Sequence, residues 1–288
     1  MPLVTLRFYA ELNDFLPPER RQRDWARPIP GPAPARHLIE TCGVPHTEVE
    51  LILRGGESIG LDAPVEEGDR LAVYPMFETF DVRPLLRLRP RPLRRPRFLA
   101  DAHLGALARR LRLLGFDTLW HNDWGDQALA RLAAEEQRIL LTRDRQLLMR
   151  QAVTHGCYLR SASTAAQLSE LIQRLQLCAE IAPFTRCTLC NGSLEAASAQ
   201  EVGAQLPPRV AERQRELFRC GGCGRLYWKG THWQAMWRQI ESICPGAPGA
   251  PAALAQAGSG ALGQGPAVPV ERRGSDRDLD IQVLDEHE

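Results

Sequence analysis

The stretch that decides the fold is residues 97–144, RFLADAHLGALARRLRLLGFDTLWHNDWGDQALARLAAEEQRILLTRD. It contains two short apolar runs, RFLA and RILLT, and each leads into an aspartate, Asp101 or Asp144. An amphipathic segment between them carries Asp126 in its first turn. Apolar strands that alternate with helical patterns are typical of βαβ units in a parallel sheet, where ligands bind beyond the carboxyl ends of the strands. The pattern therefore predicts an α/β domain with these aspartates at its functional edge.

The helices of this domain can be predicted from the spacing of its apolar residues. Five residues after Asp101 recur at helical spacing and form one apolar face: Leu104, Leu107, Ala108, Leu111 and Leu114. Gly115 follows at the position where a left-handed C-terminal cap is expected. Residues 163–177 repeat the helical pattern and are predicted to close the domain.

Three motifs occur in this region in order: F-L-x-D-x-x-L-G-x-L-A-R-x-L-R-x-L-G-F-D-T, then D-x-x-L, then R-I-L-L-T-R-D. Together they resemble the Mut-seven C-terminal RNase domain, a family of PIN-like nucleases. The matching residues are Asp101, Leu104, Gly105, Ala108, Arg109, Leu111, Arg112, Gly115, Asp117, Asp126, Thr142, Arg143 and Asp144. The resemblance implies a PIN-like three-layer domain with a parallel sheet over residues 98–180, and it implies hydrolysis of RNA.

Asp101, Asp126 and Asp144 are the predicted catalytic acids, because carboxylates gathered at one edge of a sheet can hold Mg²⁺ or Mn²⁺. Such an ion activates a water molecule and neutralises charge on the phosphate during hydrolysis. Each aspartate also has a structural interpretation, as a helix cap or as a first-turn acid that favours the helix dipole. Asp123 is a possible additional acid that competes with Asp126 for the middle position.

Three arginines near these acids are candidate phosphate ligands: Arg109, Arg112 and Arg143. For each of them, a surface position or a salt bridge is the alternative interpretation. Lys229 is the one lysine among 36 basic residues, so the abundance of arginine reflects a general bias and indicates no partner by itself. The formal net charge of +1 indicates none either.

A second metal signal comes from four cysteines in two C-x-x-C pairs: Cys187 with Cys190, and Cys220 with Cys223. Paired C-x-x-C knuckles predict a tetrahedral site for structural Zn²⁺, here in a zinc ribbon over residues 181–244. Redox pairs or disulfides are the alternative. The other four cysteines have no partner spacing and are predicted to be plain thiols: Cys42, Cys157, Cys178 and Cys244.

An aromatic segment, RLYWKGTHWQAMW, follows the second cysteine pair at residues 225–237. Its side chains have two possible roles, stacking on RNA bases or packing within the domain. Packing is the favoured interpretation for Tyr227, Trp228, His232 and Trp233.

Residues 1–80 are predicted to form a domain of their own. A period-2 strand in LVTLRFYAEL, a hairpin at Gly55-Gly56 and a last strand in EEGDRLAVYP resemble the ubiquitin-like β-grasp fold of small sulfur-carrier proteins. Some members of the RNase family carry such a domain at this position. Sulfur carriers end on an exposed Gly-Gly, whereas the pair is internal here. The domain is therefore expected to pack against the rest of the chain or to recruit a protein partner.

Residues 81–97 are predicted to be an extended linker, because the prolines among the arginines of RPLLRLRPRPLRRPR exclude a regular helix. The linker is interpreted either as an arm that binds phosphate beside the nuclease site or as a solvated spacer. Residues 245–288 lack a core-forming pattern and are predicted to be disordered. No apolar run is long enough to span a membrane and no signal-peptide pattern opens the chain, so a cytoplasmic location is expected.

These features predict a metal-dependent ribonuclease with RNA as its partner. The main alternative is a non-catalytic RNA-binding or adaptor protein, built on a degenerate PIN-like fold and the zinc ribbon. A toxin-like nuclease is a third hypothesis, and the additional domains count against it.

The phosphate-binding interpretation of the linker can be tested by removing its charge. Changing Arg87, Arg89 and Arg91 together to Gln should weaken RNA binding and reduce the salt slope by about one for each phosphate that is no longer neutralised. The measurement is the Kd for single-stranded RNA at several salt concentrations. A salt slope equal to that of the unmodified protein would identify the segment as a spacer.

Overall fold

The computed structural model describes residues 1–75, 96–202, 205–206 and 216–247. The predicted linker, apart from residues 96 and 97, and nearly all of the predicted tail lie outside the described residues. The chain forms two compact units. Of the described residues, the first unit contains 1–75, 96–111 and 116–176, and the second contains 112–115, 177–202, 205–206 and 216–247.

The N-terminal part of the first unit has a five-stranded sheet in the order β2-β1-β7-β4-β5. The central strands β1 and β7 are parallel, and the other neighbours are antiparallel. The elements are β1 Leu3–Phe8, β2 Trp25–Pro28, β3 Ala33–Pro34, α1 Ala35–Glu40, β4 Leu51–Arg54, β5 Glu57–Ile59, β6 Pro64–Val65 and β7 Arg70–Tyr74, with 3-10 helices at Ala10–Phe15, Pro18–Arg20 and His46–Glu48. Leu6 and Leu71 of the sheet and Ile39 of α1 are fully buried in one core. The predicted β-grasp fold is therefore confirmed.

The glycine pair connects β4 to β5 as a hairpin turn. Gly55 and Gly56 have φ values of +58° and +98°, in the left-handed region that residues with a Cβ rarely adopt. The strands on either side pair Arg54 with Glu57, so the loop contains only the two glycines. Two consecutive positive φ angles match the twist of the flanking strands.

A second, wholly parallel sheet follows in the order β11-β10-β8-β9. Its elements are β8 Phe98–Ala100, α2 Gly105–Leu113, β9 Thr118–Trp120, α3 Asp126–Glu135, β10 Ile139–Thr142, α4 Arg145–Leu148, β11 Gly156–Tyr158 and α5 Thr164–Arg174. A 3-10 helix, Ala102–Leu104, stands between Asp101 and α2. All three residues of β8 are buried, as expected for a strand covered on both faces. The predicted parallel α/β domain is confirmed.

Gly115 ends helix α2 as predicted, with a φ of +95°. Its position also demands the absence of a side chain, because a Cβ there would lie 2.1 Å from the carbonyl oxygen of Ala182. Two separate constraints, one on the backbone angle and one on space, therefore select glycine.

The two sheets of the first unit are joined by a buried carboxylate. The side chain of Glu48 has no exposed surface and lies 2.7 Å from Nη2 of Arg174. It also accepts a hydrogen bond of 2.6 Å from the backbone amide of Tyr158 and lies 3.7 Å from Arg160. His46 adds a second link, with Nε2 2.8 Å from the carbonyl oxygen of Val153. The β-grasp domain is thus packed firmly against the parallel sheet.

The second unit contains a three-stranded antiparallel sheet in the order β12-β13-β14. Its elements are β12 Leu194–Ala197, α6 Ala199–Val202, β13 Leu217–Cys220, β14 Leu226–Trp228 and α7 Thr231–Ile243, with a 3-10 helix at Leu177–Glu180. Trp233 and Trp237 of α7 are buried, and the ring of Trp233 lies 4.9 Å from that of Phe184. This aromatic cluster supports the packing interpretation for Trp233.

Cys178 and Cys244 form a disulfide, so the prediction that both are plain thiols is wrong. They are 66 positions apart, so no local spacing reveals the pair. Disulfides are rare in cytosolic proteins, so this bond does not support the expected cytoplasmic location. Cys42 and Cys157 are buried free thiols, and burial raises the pKa of Cys157 to about 12.

Among the described residues, none of the helices has the length and apolar character needed to cross a membrane.

The contribution of Glu48 can be measured by making it neutral. Glu48→Gln should lower the free energy of unfolding by about 2–3 kcal/mol, because two arginines lose their buried counter-charge. This is below the loss for a fully buried pair, since Glu170 also lies 3.7 Å from both arginines. Denaturant unfolding gives the value, and Glu57→Gln on the exposed edge of the hairpin is the control. Equal midpoints for the two variants would contradict this account of the interface.

Candidate active site and metal centre

Asp101 and Asp144 lie beyond the carboxyl ends of the adjacent parallel strands β8 and β10. The hydroxyl of Thr142, which is fully buried, connects them. It donates a hydrogen bond of 2.5 Å to Oδ2 of Asp101 and accepts one of 2.9 Å from the backbone amide of Asp144. The strand ends thus bring the side chain of Asp101 and the backbone amide of Asp144 into one hydrogen-bonded network.

Both of these aspartates also cap helices. Oδ1 of Asp101 accepts from the amide of Ala102 at 2.6 Å, and Oδ1 of Asp144 accepts from the amide of Gln146 at 2.7 Å. In each aspartate only Oδ1 caps the helix, and Oδ2 takes no part in the cap. His103 is a further neighbour, with Nδ1 3.3 Å from Oδ2 of Asp101. The structural and the catalytic interpretations are therefore compatible for the same two residues.

Asp126 begins helix α3 and is engaged differently. Its carboxylate is half-exposed and lies 3.2 Å from Nη2 of Arg150. Asp123 is exposed in the loop before the helix, and its Oδ2 lies 3.7 Å from Nδ1 of His121. In the described part of the chain, the one group of three or more metal-ligating side chains whose ligand atoms all lie within 4.8 Å is a cysteine cluster. Asp126 is therefore not drawn into a tight group with Asp101 and Asp144.

The three predicted phosphate ligands have different environments. Arg109 and Arg143 are exposed, so phosphate can reach them. Arg112 is buried, with only 3% of its surface exposed. Its Nη1 donates to the carbonyl oxygens of Thr188 at 3.0 Å and Leu189 at 2.6 Å. Arg112 is thus an interior residue that phosphate does not reach, which corrects the prediction made for it.

The four predicted zinc ligands form one cluster in the second unit. Their sulfur atoms are 3.6 Å apart for Cys187 and Cys223, and 3.5 Å apart for Cys190 and Cys220. A tetrahedron with metal–sulfur bonds of ~2.3 Å has edges of about 3.8 Å. The four side chains therefore suit a metal ion such as zinc.

Each C-x-x-C pair forms a tight turn that directs backbone amides at sulfur. Cys190 donates from its amide to Sγ of Cys187 at 3.4 Å, and the Cys223 amide donates to Sγ of Cys220 at the same distance. The residue after each turn is left-handed, with φ of +63° at Asn191 and +76° at Gly224. Asparagine and glycine are the residues that adopt this conformation most readily.

The ionisation of the cluster also favours a cation. Burial by itself would raise the pKa of Cys187, but hydrogen bonds from the Cys190 amide, the Tyr227 hydroxyl and the Leu189 amide outweigh it and lower this pKa to about 7. Burial and the neighbouring thiols raise the pKa of Cys223 to about 12. Four adjacent thiols do not all ionise without a positive charge among them, and a divalent ion supplies that charge.

Tyr227 contacts this centre directly. Its hydroxyl lies 3.0 Å from Sγ of Cys187 and 3.2 Å from the hydroxyl of Thr188. Tyr227 is almost fully buried, so the structure gives it a packing role instead of an exposed surface for RNA bases. The C-x-x-C spacing alone could not have identified it as a neighbour of the metal ligands.

Comparison with known proteins yields two family matches. The model of the Mut7-C RNAse domain matches residues 96–240, and the model of the Mut7-C ubiquitin domain matches residues 1–81. No curated protein matches the chain. Among solved structures, the small archaeal modifier protein 1 of H. volcanii is 17% identical over 27% of this chain and 100% of its own, with a TM-score of 0.22.

Removing one ligand should empty the cysteine cluster. Cys187→Ser is expected to lose zinc and to destabilise the second unit, because the free energy of metal binding also stabilises the fold. Zinc affinity should fall as pH is lowered, since the thiols must release protons to bind the ion. Elemental analysis gives the zinc content, with Cys42→Ser as a control outside the cluster. Freshly purified wild-type protein that contains no zinc would refute the assignment.

Proposed function

The chain belongs to the Mut7-C RNase domain family, and from this premise we propose that it is a metal-dependent ribonuclease that hydrolyses RNA phosphodiester bonds. The observation that carries the proposal is the network in which Thr142 joins Asp101 to Asp144 at the carboxyl edge of the parallel sheet. Ligands of parallel α/β sheets bind at this edge. The family match and the position of these acids therefore support the same site.

Asp101 and Asp144 would hold Mg²⁺ or Mn²⁺ with the carboxylate oxygens that do not cap helices. Both side chains are oriented in advance, Asp101 by the Thr142 hydroxyl and the Ala102 amide, and Asp144 by the Gln146 amide. When bound, the ion activates water and offsets the charge that develops on the phosphate. A cation also relieves the repulsion between neighbouring carboxylates.

Asp126 is proposed as a third acid that acts at longer range. Its carboxylate lies at the start of α3, 3.2 Å from Nη2 of Arg150, and would add negative charge to the site that holds the ion. The first acidic residue after Asp144 in the chain is Glu170. Its carboxylate accepts hydrogen bonds from the amides of Arg160 and Ser161, so we do not propose it as a fourth acid. The catalytic metal would therefore have three carboxylates instead of four and would be bound weakly.

Zinc at the cysteine cluster would be structural.

Arg109 and Arg143 are the proposed phosphate ligands. Both are exposed, and Arg143 directly precedes Asp144 in the chain. An arginine so placed can donate two parallel hydrogen bonds to a phosphate next to the metal. RNA is the proposed partner. The cytoplasm is the proposed location from the sequence pattern alone, and the Cys178–Cys244 disulfide counts against it.

The alternative function is a non-catalytic RNA-binding or adaptor protein. One observation favours it: Asp126 is paired with Arg150 and is not in a tight group with the other two acids. The β-grasp domain could then serve to recruit a protein partner. An activity measurement on acid variants distinguishes the two functions.

The proposed catalytic acids can be tested without disturbing their caps. Asp101→Asn and Asp144→Asn keep an oxygen that can cap a helix, so their thermal midpoints should stay near that of the wild type. Each should reduce Mn²⁺-dependent cleavage of single-stranded RNA by on the order of 10²-fold or more, because a metal ligand is removed. Asp126→Asn should have a smaller effect, because the Asp126 carboxylate is paired with Arg150.

Asp62→Asn is the control, since it removes the same charge from an exposed position of the β-grasp domain, outside the proposed acids. It should retain wild-type activity. If Asp101→Asn and Asp144→Asn both cleave RNA as fast as Asp62→Asn, the assignment of catalysis to these residues is wrong and the adaptor function gains support.

A further inference from the structure

The two cysteine turns have the same local shape but unequal support. Both turns begin with a buried cysteine, but the next residue is the buried Thr188 in the first turn and the exposed Gly221 in the second. The first turn is bound by Arg112, which belongs to the last turn of helix α2 and donates a hydrogen bond to the carbonyl oxygen of Thr188. A residue of the helix thus contacts the peptide groups between two proposed zinc ligands.

The contact acts on the orientation of those peptide groups. Nη1 of Arg112 donates to the carbonyl oxygens of Thr188 and Leu189. A trans peptide is planar, so its N–H points opposite to its C=O. Holding these two carbonyls toward the guanidinium therefore directs the amides of Leu189 and Cys190 the other way, toward sulfur. The 3.4 Å hydrogen bond from the Cys190 amide to Sγ of Cys187 agrees with this geometry.

Charge favours the same arrangement. Four thiolates around one Zn²⁺ carry a net charge of −2, and an arginine keeps its positive charge at any ordinary pH. Burial of a guanidinium is costly unless its hydrogen bonds and its charge are both compensated. The two carbonyls provide hydrogen bonds, and a zinc–thiolate centre beside them would provide negative charge.

The end of α2 forms a larger platform for the same turn. The carbonyl oxygens of Leu114 and Leu113 accept hydrogen bonds from the amides of Ala182 and Phe184, at 2.9 and 3.3 Å. Gly115 allows close approach of the Ala182 carbonyl. The segment that leads into Cys187 is therefore already fixed to residues 113–115 before it reaches the first ligand.

We propose that Arg112 is a positioning residue for zinc: its guanidinium holds the Cys187–Cys190 turn in the binding geometry, and zinc in return orders the last turn of α2. The proposal rests on the zinc site assigned to the four cysteines and is independent of ribonuclease activity. It also replaces the phosphate-binding role that the sequence suggests for this arginine.

The test is the zinc affinity of full-length variants, measured by competition with a chromophoric chelator. Arg112→Gln should bind zinc about 10–100-fold more weakly and release it faster, as is typical when a group that orients metal ligands is removed. Arg112→Lys should fall between this variant and the wild type, because an ammonium group retains the charge but not the planar donor geometry. If Arg112→Gln binds and releases zinc as the wild type does, the proposal is overturned. If Arg112→Lys does so, the planar geometry of the guanidinium is not what positions the turn.

Two controls separate positioning from general destabilisation. Arg109→Gln removes the same charge from the exposed face of the same helix and should leave zinc affinity unchanged. Ile240→Ala removes a fully buried side chain of α7 and should lower the thermal midpoint, yet it should bind zinc as the wild type does once folded. If Ile240→Ala weakens zinc binding as much as Arg112→Gln does, Arg112 acts only through stability and the proposal fails.

A measurement on the unmodified protein covers the case in which Arg112→Gln does not fold. Hydrogen exchange with and without a zinc chelator should show faster exchange of amides 112–116 when zinc is removed. Unchanged exchange there, together with loss of protection at 187–190, would show that zinc and the helix end are not coupled. Wild-type protein without zinc would overturn both the zinc site and the role of Arg112.

Discussion

The parallel pairing of β8 with β10 is the constraint on which the proposed active site depends. Parallel strands end at the same edge, so the residues that follow them become neighbours although 43 positions separate Asp101 from Asp144 in the chain. The sheet does more than bring Asp101 and Asp144 close together, because its strand β10 also provides a residue that links them. Because β10 ends at Thr142, one buried hydroxyl can donate to the first acid and accept from the amide of the second. Any change that shifts the register of these strands would separate the acids and break this network at the same time.

The β-grasp domain shares in this arrangement through Glu48. Its carboxylate reaches Arg174 of α5 and the amide of Tyr158 in β11, the strand next to β10. A domain that served only to recruit a partner through a mobile attachment would not need a fully buried ion pair with its neighbour. The contacts instead make the domain part of the support for the parallel sheet.

Local sequence patterns predicted the strands, helices and cysteine turns, but they did not predict the contacts between residues far apart in the chain. The strand ends at Asp101 and Asp144 and the paired C-x-x-C turns follow from residues close together in sequence, so their spacing indicated them. Glu48 and Arg174 lie 126 positions apart, and nothing in either segment marks the other. Arg112 has a helical position that predicts a surface residue near the acids, yet its carbonyl partners lie 76 and 77 positions away. The Cys178–Cys244 disulfide was not predicted for the same reason, because its two cysteines lie 66 positions apart.

That disulfide bears on what happens when the metal leaves the cluster. Cys178 and Cys244 lie on either side of all four proposed zinc ligands, so the ligands sit on one closed covalent ring. Closing a loop of 66 residues reduces the conformational entropy of the unfolded chain, which corresponds to about 4 kcal/mol in the chain-entropy model. The two cysteine pairs therefore stay at high effective concentration toward each other even when the centre is empty. Metal exchange in this protein would thus be a reversible event within a tethered loop, and a chelated sample should recover its ribbon when zinc is returned.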